Sequence, residues 1–214
     1  MMNADHLVTG GVYHVFNKSI AGYKIFSHEK EYQRMRDVLQ YYKDADTRLP
    51  FSNTNRGRNP GINKLVEIVA YCLMHTHIHL ILKQTIDNGI SIFMGRVQNS
   101  YARFLNLKAG RKGPLWEGRF KRVLVEDDEQ LLHLTRYIHL NPITAYLVDD
   151  PDLWEFSSYH EYLGRSDHQL CDFKNPLGID AVQYTNFVKD HIGYQRTLKQ
   201  IERVVLEEQH SHHC

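Results

Sequence analysis

The run from Lys64 to Met74 constrains this chain more than any other stretch. It is nearly continuous in apolar and β-branched residues, as expected of a strand buried on both faces. A second strand-like run, His77 to Lys83, begins after only His75 and Thr76. So short a connection predicts a tight antiparallel hairpin, although it lacks the Gly or Asn that such turns favour. The sheet is therefore at least partly antiparallel.

The remaining periodicities fill in an α+β sandwich. Gly11 to Asn17 alternates and is rich in β-formers, which predicts a first strand. From Glu29 to Tyr42, Tyr32, Met35, Val38, Leu39 and Tyr42 recur at helical spacing behind Ser27 or His28. Ser91 to Leu107 repeats that pattern through Ile92, Phe93, Val97 and Tyr101, and Gly110 and Gly113-Pro114 end it. Phe120 to Val125 reads as a last strand. A short helix follows, capped by Asp127 or Asp128, with Leu131, Leu134 and Ile138 as its buried stripe. Thr47 to Asn63 reads as a mobile loop. The expected fold is an antiparallel sheet with helices packed on one face and the other face free for a ligand. Trp154 to Tyr159 is expected to form a capped short helix. A C-terminal extension from residue 164 is expected to be helical between Tyr184 and Gln209, with a disordered end at His210 to Cys214.

Composition bounds the function classes. At 214 residues, 42% hydrophobic and 24% charged, the chain is that of a soluble protein holding one substantial domain, expected over residues 1–163, and an extension over 164–214. No apolar run is long enough for a membrane helix, and Met1 to Gly10 has no signal pattern, so a cytoplasmic location is expected. Cys72, Cys171 and Cys214 are scattered and odd in number, which fits reduced thiols. Net charge is +1, but its distribution is uneven. Arg96, Arg103, Lys108, Arg111, Lys112, Arg119, Lys121 and Arg122 face only Glu117 in their window, a net of +7 that leaves −6 elsewhere. Such a one-sided basic segment is the footprint of a polyanion site.

Two constellations carry chemistry. On a strand, His77 and His79 point to one face and can bring two ring nitrogens to one cation. His79 lies in an apolar run where an unpartnered imidazole is costly to bury. His75 has the same period and is a candidate third ligand or outer partner. On the helix, Tyr137 and Asn141 stand one turn apart, and Pro142 places Asn141 at the helix end. Taken alone, that pair reads as a core tyrosine and an asparagine cap. Tyr101, on the basic helix, is the rival nucleophile, but Leu105 stands where a carboxamide would be needed.

In this order, His77-Ile78-His79, a basic helix, Gly113 to Phe120 and Tyr137-Ile138-His139-Leu140-Asn141-Pro142 resemble the single-tyrosine HUH transposases of bacterial insertion sequences, and most closely their REP-associated relatives. Val12 to Val15, Tyr71 to Met74 and Trp154 to Tyr159 extend the resemblance over roughly residues 10 to 164. The resemblance implies a ferredoxin/RRM-like HUH fold and a nuclease that cuts and rejoins single-stranded or hairpin DNA. It assigns His77, His79 and Asn141 to a divalent ion, Mg²⁺ or Mn²⁺, and Tyr137 to attack on phosphorus, giving a 5′-phosphotyrosine. Arg103, Arg111, Lys112, Arg119, Lys121 and Arg122 would bind backbone phosphates, while Trp116, Tyr13 and Phe120 stack on unpaired bases. His75-Thr76 stands where the family usually has Pro-Asn, and Gly10-Gly11-Val12-Tyr13 lacks the tryptophan of the motif that reads a hairpin guide. Both a monomer and a homodimer exchanging helices are compatible with this pattern. The competing reading is a domesticated nucleic-acid-binding protein without catalytic activity.

Overall fold

The computed structural model describes residues 7–47, 51, 63–172 and 178–197. Most of the Thr47 to Asn63 loop, the end of the extension and the histidine-rich tail lie outside them. Four antiparallel strands, β1 (Val12–Lys18), β2 (Val66–Met74), β3 (His77–Gln84) and β4 (Lys121–Val125), form one sheet in the order β2-β3-β1-β4. The β2–β3 hairpin turns on His75 and Thr76 alone, as its spacing predicts. Favoured turn residues are dispensable here because the flanking core holds the register. Ile78, Leu80, Leu73 and Tyr71 are all essentially inaccessible to water.

Register assigns the two faces. Tyr13, Val15 and Asn17 lie opposite Leu82, Leu80 and Ile78, and all are buried. This face belongs to the main core, into which α1 (Glu29–Tyr42) and α2 (Gly89–Lys108) pack. The α1 start is closed by Glu31, whose carboxylate accepts the Ser27 and His28 N–H groups at 2.5 and 2.9 Å. On the other face stand His14, Phe16, His77 and His79. That face is not wholly open, because α3 (Asp128–Thr144) crosses it and brings the Tyr137 ring to His14 and His79.

The α3 helix begins where expected, with Asp127 accepting from the Gln130 N–H at 2.7 Å. It does not end at Asn141. Pro142 sits inside the helix, which runs on to Thr144. The proline removes one backbone donor, but Leu140, Pro142 and Ile143 are buried, so packing outweighs the local preference of the residue before proline.

Segment 156–158 pairs with the outer edge of β2, through Leu73 N–H to Phe156 O and Ser158 N–H to Tyr71 O at 2.9 Å each. In place of the expected helix at 154–159, a turn makes a single bridge, Ser157 to Cys72, and leads into the one-turn α4 (Tyr159–Tyr162). The extension folds back onto the domain. The side chain of Asp172, 6% exposed, pairs with Lys43 and Lys64 and accepts the Ile68 N–H at 2.8 Å. Beyond it, α5 (Ala181–Lys189) packs on α3 in a second apolar cluster built on Leu140, Ile143, Tyr184 and Val188.

Candidate active site

β3 places His77 and His79 on one face with ring centroids 5.1 Å apart. His14 on β1 joins them, its Nε2 lying 2.9 Å from His79 Nδ1, and Phe16 stacks beside His79 at 5.9 Å. Burial holds the His79 imidazole well below its ordinary range, reinforced by His77, His14 and Lys18. Burial alone brings His14 down to about 4. Both rings are thus neutral near pH 7, and one must donate to the other. If His14 donates, the proton of His79 sits on Nε2 and blocks it. If His79 donates from Nδ1, its Nε2 lone pair is left for a cation. In the second arrangement the donor set fits a divalent ion through the rings of His77 and His79. Among the described residues, no group of three or more His, Cys, Asp or Glu is gathered as a metal site. A third contact would have to come from elsewhere, and the carboxamide of Asn141 is of the right type.

Tyr137 projects from α3 over this pair, edge-on to His79 at 6.1 Å and to His14 at 6.3 Å between centroids. It is 40% exposed, unlike the buried Ile138 and His139 beside it. The carboxamide nitrogen of Asn141, one turn on, donates to the Tyr137 carbonyl at 3.2 Å, so the oxygen is the end not used in that bond. His75 is not part of this group. Its position in the hairpin turn sends its ring against Trp154 at 5.6 Å.

The rival tyrosine is excluded by its surroundings. Tyr101 is fully buried and donates to the Ile25 carbonyl at 2.6 Å. Burial, with Glu31 and Tyr32 nearby, pushes its phenol up. Tyr101→Phe is expected to cost about 1–2 kcal/mol in urea unfolding, by orphaning that carbonyl, and to leave any DNA chemistry intact.

The basic window does not form one stripe. Arg119 and Lys121 line a cleft with Phe16, Lys18 and Gly118, contiguous with the histidine face. Arg103 and Lys112 line a separate groove along α2, with Arg96, Lys108 and Arg111. Several of those cations are already engaged. Arg111 donates to Asn106 and Pro114, and Lys108 pairs with Glu31 at 2.7 Å. Lys121, opposite Phe16, shares the histidine face, whereas Arg122, opposite Val15, does not. Two expected stacking residues are core instead. Tyr13 is 6% exposed with its hydroxyl accepting the Val8 N–H, and Trp116 is 9% exposed with Nε1 donating to Gln98 O. The aromatic ring that lines the cleft is the half-buried Phe16. The residues that sequence reasoning missed, His14 and Phe16, show their place only once β1 is registered against β3.

Residues 61–141, which span β2, β3, α2, β4 and the Tyr137–Asn141 turn of α3, match the family model described as Transposase IS200 like. The chain resembles IS200-like tyrosine transposases. A Haemophilus influenzae protein assigned as a REP-associated tyrosine transposase is 29% identical over 104 residues, covering 44% of this chain and 59% of that protein. The chain thus matches little more than half the length of that relative. Among solved structures, a REP-associated tyrosine transposase bound to a REP hairpin aligns with a TM-score of 0.57 at 18% identity, covering 86% of this chain and 96% of that one. That likeness speaks for the fold. Among the described residues, no helix is long and apolar enough to cross a membrane.

Proposed function

We propose that this transposase-like chain cuts and rejoins single-stranded or hairpin DNA, with Tyr137 as the nucleophile and residues 1–163 as the catalytic unit. The observation that carries this reading is the half-exposed phenol of Tyr137 standing over the neutral His14–His79 pair. The Tyr137 oxygen forms a bond to phosphorus as the bond from phosphorus to the 3′-oxygen breaks. The phenolic proton leaves to water, and the released 3′-oxygen takes up a proton. The 5′-phosphotyrosine conserves the phosphodiester bond, so attack by another 3′-hydroxyl reverses the step without ATP. His77, His79 and Asn141 would hold Mg²⁺ or Mn²⁺, which would offset charge on the scissile phosphate. By accepting from His79 Nδ1, His14 would leave His79 Nε2 open to the ion, and the cleft of Lys18, Arg119 and Lys121 guides the backbone toward Tyr137.

The test is incubation of the full chain with 3′-labelled single-stranded DNA and Mn²⁺, then a denaturing gel. A covalent protein–DNA band is expected, because the tyrosine keeps the downstream strand. Its absence over a broad range of sequences would favour a protein that only binds.

Binding should weaken steeply with salt, since cations release condensed counterions from the backbone. Lys121→Ala is expected to flatten the salt slope by roughly one phosphate contact for all sequences alike. Arg122→Ala, on the other side of β4, should change the slope less. Titrations by fluorescence anisotropy at several ionic strengths decide this, and indifference to salt would remove the cleft from the reading.

A further inference from the structure

Resting on that reading, we propose that His139 is a positioning residue, which ties the nucleophile helix to the sheet and to α5. His139 lies two positions after Tyr137, so it leaves α3 on nearly the opposite side. It is 1% exposed, and both of its ring nitrogens are engaged. Nδ1 lies 2.7 Å from the Tyr184 hydroxyl of α5, and Nε2 lies 2.7 Å from Ser158 Oγ. Ser158 Oγ in turn accepts the Tyr71 N–H at 2.9 Å. Tyr71 precedes Cys72, which lies opposite His79 across the β2–β3 ladder. A short polar path thus runs from the helix that carries Tyr137 to the strand pair that carries His79.

The proton count closes. A neutral imidazole has one N–H and one lone pair; the Ser158 hydroxyl donates to the Tyr71 carbonyl at 3.2 Å, so Nε2–H donates to Ser158 Oγ and Nδ1 accepts from the Tyr184 hydroxyl. With partners on both edges, the ring cannot turn or slide along its neighbours without breaking a bond in a dry site. Tyr159, Tyr162 and Tyr184 pack edge-on around it at 5.1 to 5.8 Å between centroids. An apolar ring would fill this volume, but it would hold neither the rotation nor the axial position of α3. Those two coordinates decide where the Tyr137 oxygen sits above the histidine pair. Contact with Tyr184 gives the extension a role in the same task, as the outer wall of the clamp.

The test uses the full chain and an oligonucleotide recovered, by adduct formation with the wild-type chain, from a randomised single-stranded pool with Mn²⁺. His139→Phe puts a slightly larger apolar ring in its place and loses both bonds, while Ser158→Ala and Tyr184→Phe each remove one partner. Val188→Ala loosens the same apolar cluster without touching the polar path, and so controls for stability alone. His139→Phe is expected to lower the single-turnover rate at saturating DNA about tenfold to a hundredfold, as small misplacements of reacting groups do. Its DNA affinity should stay within roughly twofold, because only the step after binding is affected. The single-partner variants should show smaller losses of the same kind, and they carry the test should His139→Phe not fold. Val188→Ala should melt earlier yet react at the wild-type rate.

A wild-type rate in His139→Phe, with Tm lowered as in Val188→Ala, would make the residue structural only and overturn the proposal while leaving Tyr137 as the nucleophile. A loss that follows affinity alone would overturn it equally. An adduct that persists in Tyr137→Phe would sink the functional reading beneath it.

Discussion

Tyr137→Phe is expected to bind single-stranded DNA like the unaltered chain and to form no covalent adduct. The substitution removes one oxygen from a ring that is 40% exposed, so stability should change by no more than about 0.5 kcal/mol. Edge contacts of the ring with His14 and His79 survive, because they involve the ring and not the hydroxyl. What is lost is the atom that would bond to phosphorus. Tyr101 is sealed in the core against Ile25. The adduct rate should therefore fall by roughly three orders of magnitude or more, as expected when a nucleophile is deleted outright. A wild-type level of adduct would overturn the assignment of Tyr137.

His79→Ala is the second large effect. The ring is 7% exposed, between His14, His77 and Phe16, so its loss leaves a cavity and strips His14 of its partner. A cost of about 1–3 kcal/mol in stability is expected, which a well-built core of this size should tolerate. Cleavage should fall at least about a hundredfold, and Mn²⁺ affinity measured by titration calorimetry should fall with it. His77→Ala should lose cleavage at a lower stability cost, since His77 is only partly buried. Unchanged cleavage in both variants would make the histidines structural and leave Tyr137 without its electrostatic support.

Much of this arrangement is legible in the residues. The α1 bounds, an aspartate cap at 127 or 128, the hairpin at His75-Thr76 and the shared face of His77 and His79 all follow from periodicity and local chemistry. What failed needed tertiary pairing. Tyr13 and Trp116 are aromatic residues near basic ones, and nothing local says that one faces the helical layer and the other drops its indole onto α2. His14 became a site residue only because β1 pairs with β3 so that Phe16 meets His79. Pro142 misled in the other direction, since its backbone rule is weak against the burial of Leu140 and Ile143. Trp154 to Tyr159 read as a capped short helix, yet Ser157 bridges to Cys72 and its neighbours take up outer backbone groups of β2.

The position of β1 in the sheet has a kinetic consequence. This strand opens the described chain but lies between β3 and β4, so each of its ladders joins it to residues far along the sequence, Lys18 to His77 and Phe16 to Lys121 among them. The β2–β3 hairpin closes over two residues at little entropic cost, whereas the centre of the sheet closes over the longest loops. On a ribosome, β1 must wait unpaired until β3 has emerged, and its second edge stays open until β4 follows. The His14–His79 contact is made with the first of those closures, and Tyr137 follows β4 in the chain, so it emerges after both strands. The meeting of Tyr137 with the two histidines thus waits on long-range strand pairing and not on the local hairpin.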